Sequence, residues 1–194
     1  MKRAWIQPTG DELLAGVIED TDSPMVCGVL EKMGIQGVIA PPVPDDEGAL
    51  EQAVRRACRE GCILTILIGG SGGGHRHDPS LGRDFTHCVL ERLLSRTHST
   101  SLYGKNGHLW SRMVCGYLED MLVVNIPGPF REARAAMEAM EACGVHAPPE
   151  RLNQLMAQAV CQTYHSGEVP DEEAQRRPHA AADCVSPGEG RQPF

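Results

Sequence analysis

The chain has 194 residues, with 26 acidic against 18 basic side chains and a formal net charge of −8, a length that suits one domain of ordinary size, alone or with an appendage. With 41% hydrophobic residues but only 4% aromatics it can build a core, and that core must be mostly aliphatic. The acidic balance without a basic run argues against nucleic acid, no apolar stretch reaches the roughly 18 residues of a membrane span, and the first residues lack the apolar segment of a secretory signal, so a cytoplasmic protein is expected.

In chain order, residues 2–7 read as an opening strand. Val26, Val29, Leu30 and Met33 have helical spacing, and Gly34 stops that helix. Val38 to Val43 reads as a second strand, closed by Pro41 and Pro42. Leu50, Ala53, Val54, Ala57 and Cys58 mark an amphipathic helix behind an acidic start at Asp45-Asp46-Glu47, which suits the positive end of a helix dipole. Cys62 to Ile68 is apolar on both faces, as in a central parallel strand, and runs into Gly69-Gly70-Ser71-Gly72-Gly73-Gly74. A helix is expected from about Ser80 to Leu94, a buried strand from Met121 to Ile126, and a core helix through Ala133, Ala136, Met137 and Met140 that ends at Gly144.

Strands alternating with helices predict a three-layer α/β/α domain with a mostly parallel sheet over residues 1–144. A C-terminal extension follows over 145–194, opening with a helix at about 149–163 whose stripe is Leu152, Leu155, Met156 and Ala159. That stripe should pack on the domain or on a neighbouring subunit. From His165 to Phe194 only Val169, Val185 and Phe194 are large and apolar, against nine charged residues and four prolines, and disorder is expected there. The eight cysteines form no C-x-x-C pair and sit mostly among apolar neighbours. They read as small buried hydrophobes in a reducing compartment.

In parallel sheets ligands bind at the carboxyl ends of the strands, so chemistry is sought after each strand. The sharpest local feature is a strand, a glycine loop and then a helix. Glycines let backbone N–H groups approach an anion, and the helix N-terminus adds partial positive charge, so phosphate binding is the natural use. The loop lacks the Lys-Ser/Thr of a P-loop and does not fit G-x-G-x-x-G, and a glycine-rich turn can also be only a long turn. His75-x-His77-Asp78 could hold a metal, although two histidines on such a loop are more often solvent-exposed. Ser71 has no evident base, which disfavours a serine hydrolase.

Five motifs carry a family resemblance across about residues 4–142. Pro8-Thr9-Gly10-Asp11-Glu12-Leu13 with Gly16-x-Ile18-x-Asp20-Thr21-Asp22 resembles the T-G-D-E-L…G-x-I-x-D-S-N opening of molybdopterin-binding domains. These domains occur in molybdenum-cofactor biosynthesis proteins and competence-damage-induced proteins. Val43-Pro44-Asp45-Asp46 resembles the P-D-D/E turn, and Gly69-Gly70-Ser71-Gly72 through Asp78 resembles G-G-T/S-G…D. Ser111-Arg112 through Gly116, and Asn125-Ile126-Pro127-Gly128-Pro129, resemble the S-R…G and L-P-G-x-P elements. Two departures stand out: Gly69 to Asp78 is one residue longer than the family spacing, and Asp22 stands where the family usually has Asn.

The resemblance implies a phosphorylated pterin, molybdopterin, as ligand or substrate. Single-domain members transfer the adenylyl group of ATP to its phosphate, relatives insert molybdate, and others only bind the pterin. It further implies that Asp45 and Asp78 are the catalytic pair holding Mg²⁺, and that members assemble as homo-oligomers, usually trimers. Ligand contacts are implied for Thr9, Gly10, Asp11, Asp20, Asp22, Gly69, Gly70, Ser71, Gly72, Ser111, Pro127 and Gly128. From the residues alone, Asp45 could instead cap the helix that follows it, Asp78 could be a turn residue before Pro79, and Asp22 could cap the helix beginning near Pro24. The expected activity is nucleotidyl transfer to molybdopterin; the alternatives are a non-catalytic pterin carrier and a diverged member binding another phosphorylated ligand.

Overall fold

The structure, a computed structural model, describes residues 2–72, 85–104 and 107–164. Strands β1 (Arg3–Pro8), β2 (Gln36–Ile39), β3 (Leu64–Ile68), β4 (Ser95–Tyr103), β5 (Leu109–Leu118) and β6 (Met121–Ile126) form one sheet in the order β2-β1-β3-β6-β5-β4. The first four of that order are parallel, while β5 and β4 complete the sheet antiparallel. A single register row runs through Ile39, Ile6, Ile66, Val124 and Cys115. Because strand side chains alternate faces, Ile6, Ile66, Val124 and Cys115 enter one core cluster, and Trp5, Leu67, Val123 and Val114 enter the other.

The first cluster is closed by α2 (Asp22–Lys32), α5 (Phe130–Cys143) and α6 (Pro149–Thr163), the second by α3 (Glu47–Arg59) and α4 (Thr86–Leu93). A single short helical turn, α1 (Asp11–Leu14), follows β1. This is the expected three-layer α/β/α architecture with a mostly parallel sheet. β3 is buried at all five positions, in keeping with its apolar run. Of the eight cysteines, seven lie among the described residues as free thiols, with Cys62, Cys115 and Cys161 buried. Among the described residues no helix is long and apolar enough to cross a membrane.

Local boundaries differ from the sequence expectation where prolines and polar edges intervene. β2 ends at Ile39, and Val43 makes only an isolated parallel bridge to Thr9; Pro41 and Pro42 have no N–H to continue a ladder. α2 begins at Asp22, ahead of the apolar positions that mark it. The helix expected from about Ser80 starts instead at Thr86, with Phe85 as its N-cap, and residues 80–84 lie outside the described residues. The sequence pattern shows no strand between 95 and 118. β4 reads Ser-Arg-Thr-His-Ser-Thr-Ser before its one buried residue, Leu102, and two register irregularities interrupt its pairing with β5. A polar, irregular edge strand protects the sheet from further pairing and hides its own period.

α6 corrects the expected stripe. Its buried face is Leu152, Asn153, Met156, Ala157, Val160 and Cys161, while Leu155 and Ala159 are only half-buried. The helix is wedged between α5 and the β4–β5 edge, so its buried face includes a polar residue. Asn153 Nδ2 donates to the Met113 carbonyl at 3.0 Å, and Thr100 Oγ1 donates to Asn153 Oδ1 at 2.5 Å. At the C-terminal end Tyr164 stacks on Trp110 with centroids 4.1 Å apart. Residues 165–194, expected to be disordered, lie outside the described residues. Met156→Ala, which removes a fully buried side chain, should therefore cost about 2–5 kcal/mol in urea unfolding. Leu155→Ala, on the flank of the face, should cost about 1 kcal/mol or less.

Candidate functional site

Four loops leave the carboxyl edge of the parallel strands, and backbone hydrogen bonds extend the ladder beyond the strand ends to hold them together. The Thr9 N–H and Oγ1 both donate to the Ile68 carbonyl, at 2.9 and 3.0 Å. Val43 N–H donates to Pro8 at 3.2 Å, Gly10 N–H to Val43 at 3.0 Å, and Gly69 N–H to Ile126 at 3.1 Å. The approach is close enough to require glycine: a Cβ on Gly69 would lie 3.0 Å from the Thr9 carbonyl oxygen, at a φ of +97° that side chains rarely adopt. Gly128, after the buried Pro127, sits with its Cβ position 3.7 Å from the Gly69 Cα.

Asp11 and Asp45 are interlocked across two of these loops. Asp11 N–H points at Asp45 Oδ2 at 3.4 Å, and Asp45 N–H at Asp11 Oδ1 at 3.3 Å. Capping of α3 falls to the next residue, since Asp46 Oδ1 accepts from the Ala49 N–H at 2.8 Å. Asp45, 7% exposed, is therefore not the helix cap that its position allowed. Its carboxylate stands in the loop after β2 beside that of Asp11, a pair of hard oxygen donors.

The glycine loop is anchored from behind by β5 and α4. Ser111 Oγ donates to Ser71 Oγ at 2.9 Å, and the Arg112 N–H donates to the Ser71 carbonyl at 2.7 Å. The Arg112 guanidinium is paired with Glu91 on α4, with Nη2 2.6 Å and Nε 2.8 Å from Oε1. Asn125 Oδ1 accepts from the Val114 N–H at 2.5 Å while its Nδ2 donates to the Arg112 carbonyl at 2.9 Å, which ties the Ser-Arg segment to the end of β6. The S-R and L-P-G-x-P elements thus meet at the glycine loop. Thr86 is not singled out by the sequence, yet its N–H donates to the Gly70 carbonyl at 3.2 Å and its side chain packs against Gly70. A threonine at a helix start is too common to stand out.

The structure brings Thr9, Gly10, Asp11, Asp45, Gly69, Gly70, Ser71, Ser111 and Gly128 to one edge. Gly72 ends the described part of the glycine loop, and Asp78, His75 and His77 lie outside the described residues. Among the described residues no group of three or more His, Cys, Asp or Glu side chains is gathered to hold a metal ion. Asp20 and Asp22 take a different place, at the start of α2 and facing the start of α5. Asp20, not Asp22, supplies the cap-like bond, accepting from the Ser23 N–H at 2.9 Å. Burial pushes the Asp22 carboxyl up to about 6, and the charges of Asp20 and Glu132 add to the effect. Burial and the same Glu132 raise the Tyr164 hydroxyl to about 12.

A carboxyl raised from 3.8 to about 6 by folding binds a proton more tightly in the native state. Its contribution to stability is full below the unfolded value and is lost as pH rises through the folded one. Asp22→Asn removes the ionised form altogether. In thermal unfolding at pH 7.5 this should raise the melting temperature by about 2–4 °C, on the order of 1 kcal/mol after solvent screening of a half-buried group. At pH 3.5 the variant and the natural protein should melt together.

A family model described as a probable molybdopterin binding domain matches residues 5–142. No curated protein sequence matches the chain. Among solved structures, the molybdopterin biosynthesis enzyme MoaB from Thermus thermophilus is similar at 25% identity and a TM-score of 0.57, over 80% of this chain and 97% of that one. CinA from Thermoplasma acidophilum, of unknown function, matches at 20% identity and a TM-score of 0.57, over 73% of this chain and 96% of its own. The molybdopterin biosynthesis Mog protein from Mycobacterium ulcerans matches at 22% identity and a TM-score of 0.56, over 80% and 99% respectively. The last two likenesses speak for the fold, and the family model matches most of the chain. Motif, fold and family model agree, and the chain belongs to the family of probable molybdopterin-binding domains.

Proposed function

We propose that this protein acts in molybdenum-cofactor biosynthesis by binding molybdopterin at the carboxyl edge of the sheet and transferring the adenylyl group of ATP to its phosphate. In that reaction a phosphate oxygen of the pterin attacks the α-phosphorus of ATP, and pyrophosphate leaves. The observation that carries the reading is the placement of Asp45: buried, beside Asp11, in the loop after β2, with helix capping taken over by Asp46. Gly70 to Gly72 supply backbone donors, and the start of α4 partial positive charge, for a phosphate.

Magnesium is bound by one or two carboxylates plus the substrate's own phosphate oxygens, and the Asp45 carboxylate suits that donor set, with Asp78 as its proposed companion. When bound, the ion neutralises charge developing on the phosphates. Asp45 would orient the ion, while Ser71, held by Ser111, and the backbone N–H groups of Gly70 to Gly72 would orient the phosphate. Contacts to the pterin are proposed for Thr9, Gly10, Asp11, Pro127 and Gly128, which border the same edge.

Asp22 favours a second reading, a pterin carrier without turnover. With Asp20 and Glu132 around it, its ionised form adds negative charge at the facing starts of α2 and α5, which disfavours an anionic nucleotide approaching from that side. The two readings part on one assay, in which the purified protein is incubated with molybdopterin, ATP and Mg²⁺ and adenylylated pterin and pyrophosphate are quantified. Asp45→Asn and Asp78→Asn should each lower turnover by roughly a hundredfold while pterin affinity stays within about threefold. Turnover that survives both substitutions overturns the enzyme reading. A pterin retained in native mass spectrometry without product formation establishes the carrier.

A further inference from the structure

Thr86 is fully buried, yet its hydroxyl has no hydrogen-bond partner among the described residues. Its backbone N–H is employed, donating to the Gly70 carbonyl and fastening the glycine loop to the start of α4. The residue before Thr86, Phe85, is the N-cap and has no side-chain oxygen to cap the helix. A buried hydroxyl left unmade is unfavourable and uncommon in native proteins, so its retention calls for a reason.

The direction of the hydroxyl supplies one. A Cβ built on Gly70 would lie 2.2 Å from Thr86 Oγ1 and 3.3 Å from Thr9 Oγ1, and Gly70 has a φ of +60°. The Thr86 hydroxyl therefore fills the place that a Gly70 side chain would take, and the Thr9 hydroxyl borders it. They are not equivalent there. Thr9 Oγ1 has already given its proton to the Ile68 carbonyl, whereas Thr86 Oγ1 still has one to donate. That proton lies at the N-terminal end of α4, where the helix dipole favours negative charge.

We infer that Thr86 is a ligand-recognising residue of the glycine-loop site, donating its hydroxyl proton to an anionic oxygen of a phosphate or pyrophosphate group seated over Gly70. The inference rests on the proposed phosphate-binding role of that loop and adds a donor outside the glycine motif. A hydrogen bond from a neutral hydroxyl to an anion is worth more than a neutral pair. Thr86 would thus discriminate a doubly charged tetrahedral ligand from a neutral one of the same shape.

The test compares the natural protein with Thr86→Val, which keeps the shape, and Thr86→Ser, which keeps the donor. Inorganic pyrophosphate and ATP are the probes, titrated calorimetrically, and thermal unfolding is followed without them. Thr86→Val should melt no lower than the natural protein, because it loses only an unpaired group, yet bind pyrophosphate about tenfold more weakly or worse. Thr86→Ser should bind within about threefold of the natural protein. Equal binding by Thr86→Val and the natural protein overturns the inference while leaving the phosphate role of the loop intact. A marked fall in the melting temperature of Thr86→Val also overturns it, since the hydroxyl would then be structural. Failure of the natural protein to bind either probe removes the phosphate reading itself, and the inference with it.

Discussion

The parallel pairing of β1 with β2 and β3 does not stop where the strands stop, and the geometry of the site depends on this. Thr9 continues the ladder onto Ile68, Val43 onto Pro8, and Gly69 onto Ile126. Each bond lies beyond a strand end, where the chain would otherwise be free to leave the sheet. The loops are consequently stacked as closely as strands are, which only residues without a Cβ tolerate at positions such as Gly69. Loops far apart in sequence become one surface because their first residues are still, in hydrogen-bonding terms, sheet.

On that surface the helix starts set the electrostatics. Asp46 satisfies α3 and Asp20 satisfies α2, so capping is handled by carboxylates that are not the most buried ones. Asp45 and Asp11 each take up the other's backbone N–H instead. At the opposite side, Asp22, Asp20 and Glu132 bring three acids to the facing starts of α2 and α5, and the burial of Asp22, with its two acidic neighbours, pushes its carboxyl up to about 6. The dipoles of α2 and α5 favour negative charge there, but not enough to offset desolvation and mutual repulsion together.

The far edge of the sheet shows how an apparently remote element reaches the site. α6 is buried along one face by β4, β5 and α5, and the residue after its last turn, Tyr164, stacks on Trp110. Trp110 adjoins Ser111 in the sequence, and Ser111 holds Ser71 in the glycine loop. The family match ends at residue 142, so this support comes from beyond it. The glycine loop and core packing are therefore joined through a single strand, β5.

Much of this is legible in the residues themselves. The apolar run of β3, the period of α3 and α5, and the glycines and prolines after each strand depend on local steric and hydrophobic rules, so the layers and the loop positions follow from the chain alone. So does the family, because its motifs lie in those loops. What stays hidden is every feature that depends on a partner distant in sequence. β4 is polar because it is an edge, and only its pairing with β5 makes it a strand. The face of α6 is turned toward Asn153 because two elements flank it, and a hydrophobic stripe cannot register a buried amide. Of three consecutive carboxylates, Asp45-Asp46-Glu47, spacing cannot say which one caps α3 and which meets Asp11 34 positions away. Thr86 carries no signal until Gly70 is folded against it. The sequence determines which segments are strands, helices and tight loops, since those are settled over a few residues; which side chains face one another across the loops is decided only when the sheet register brings them together.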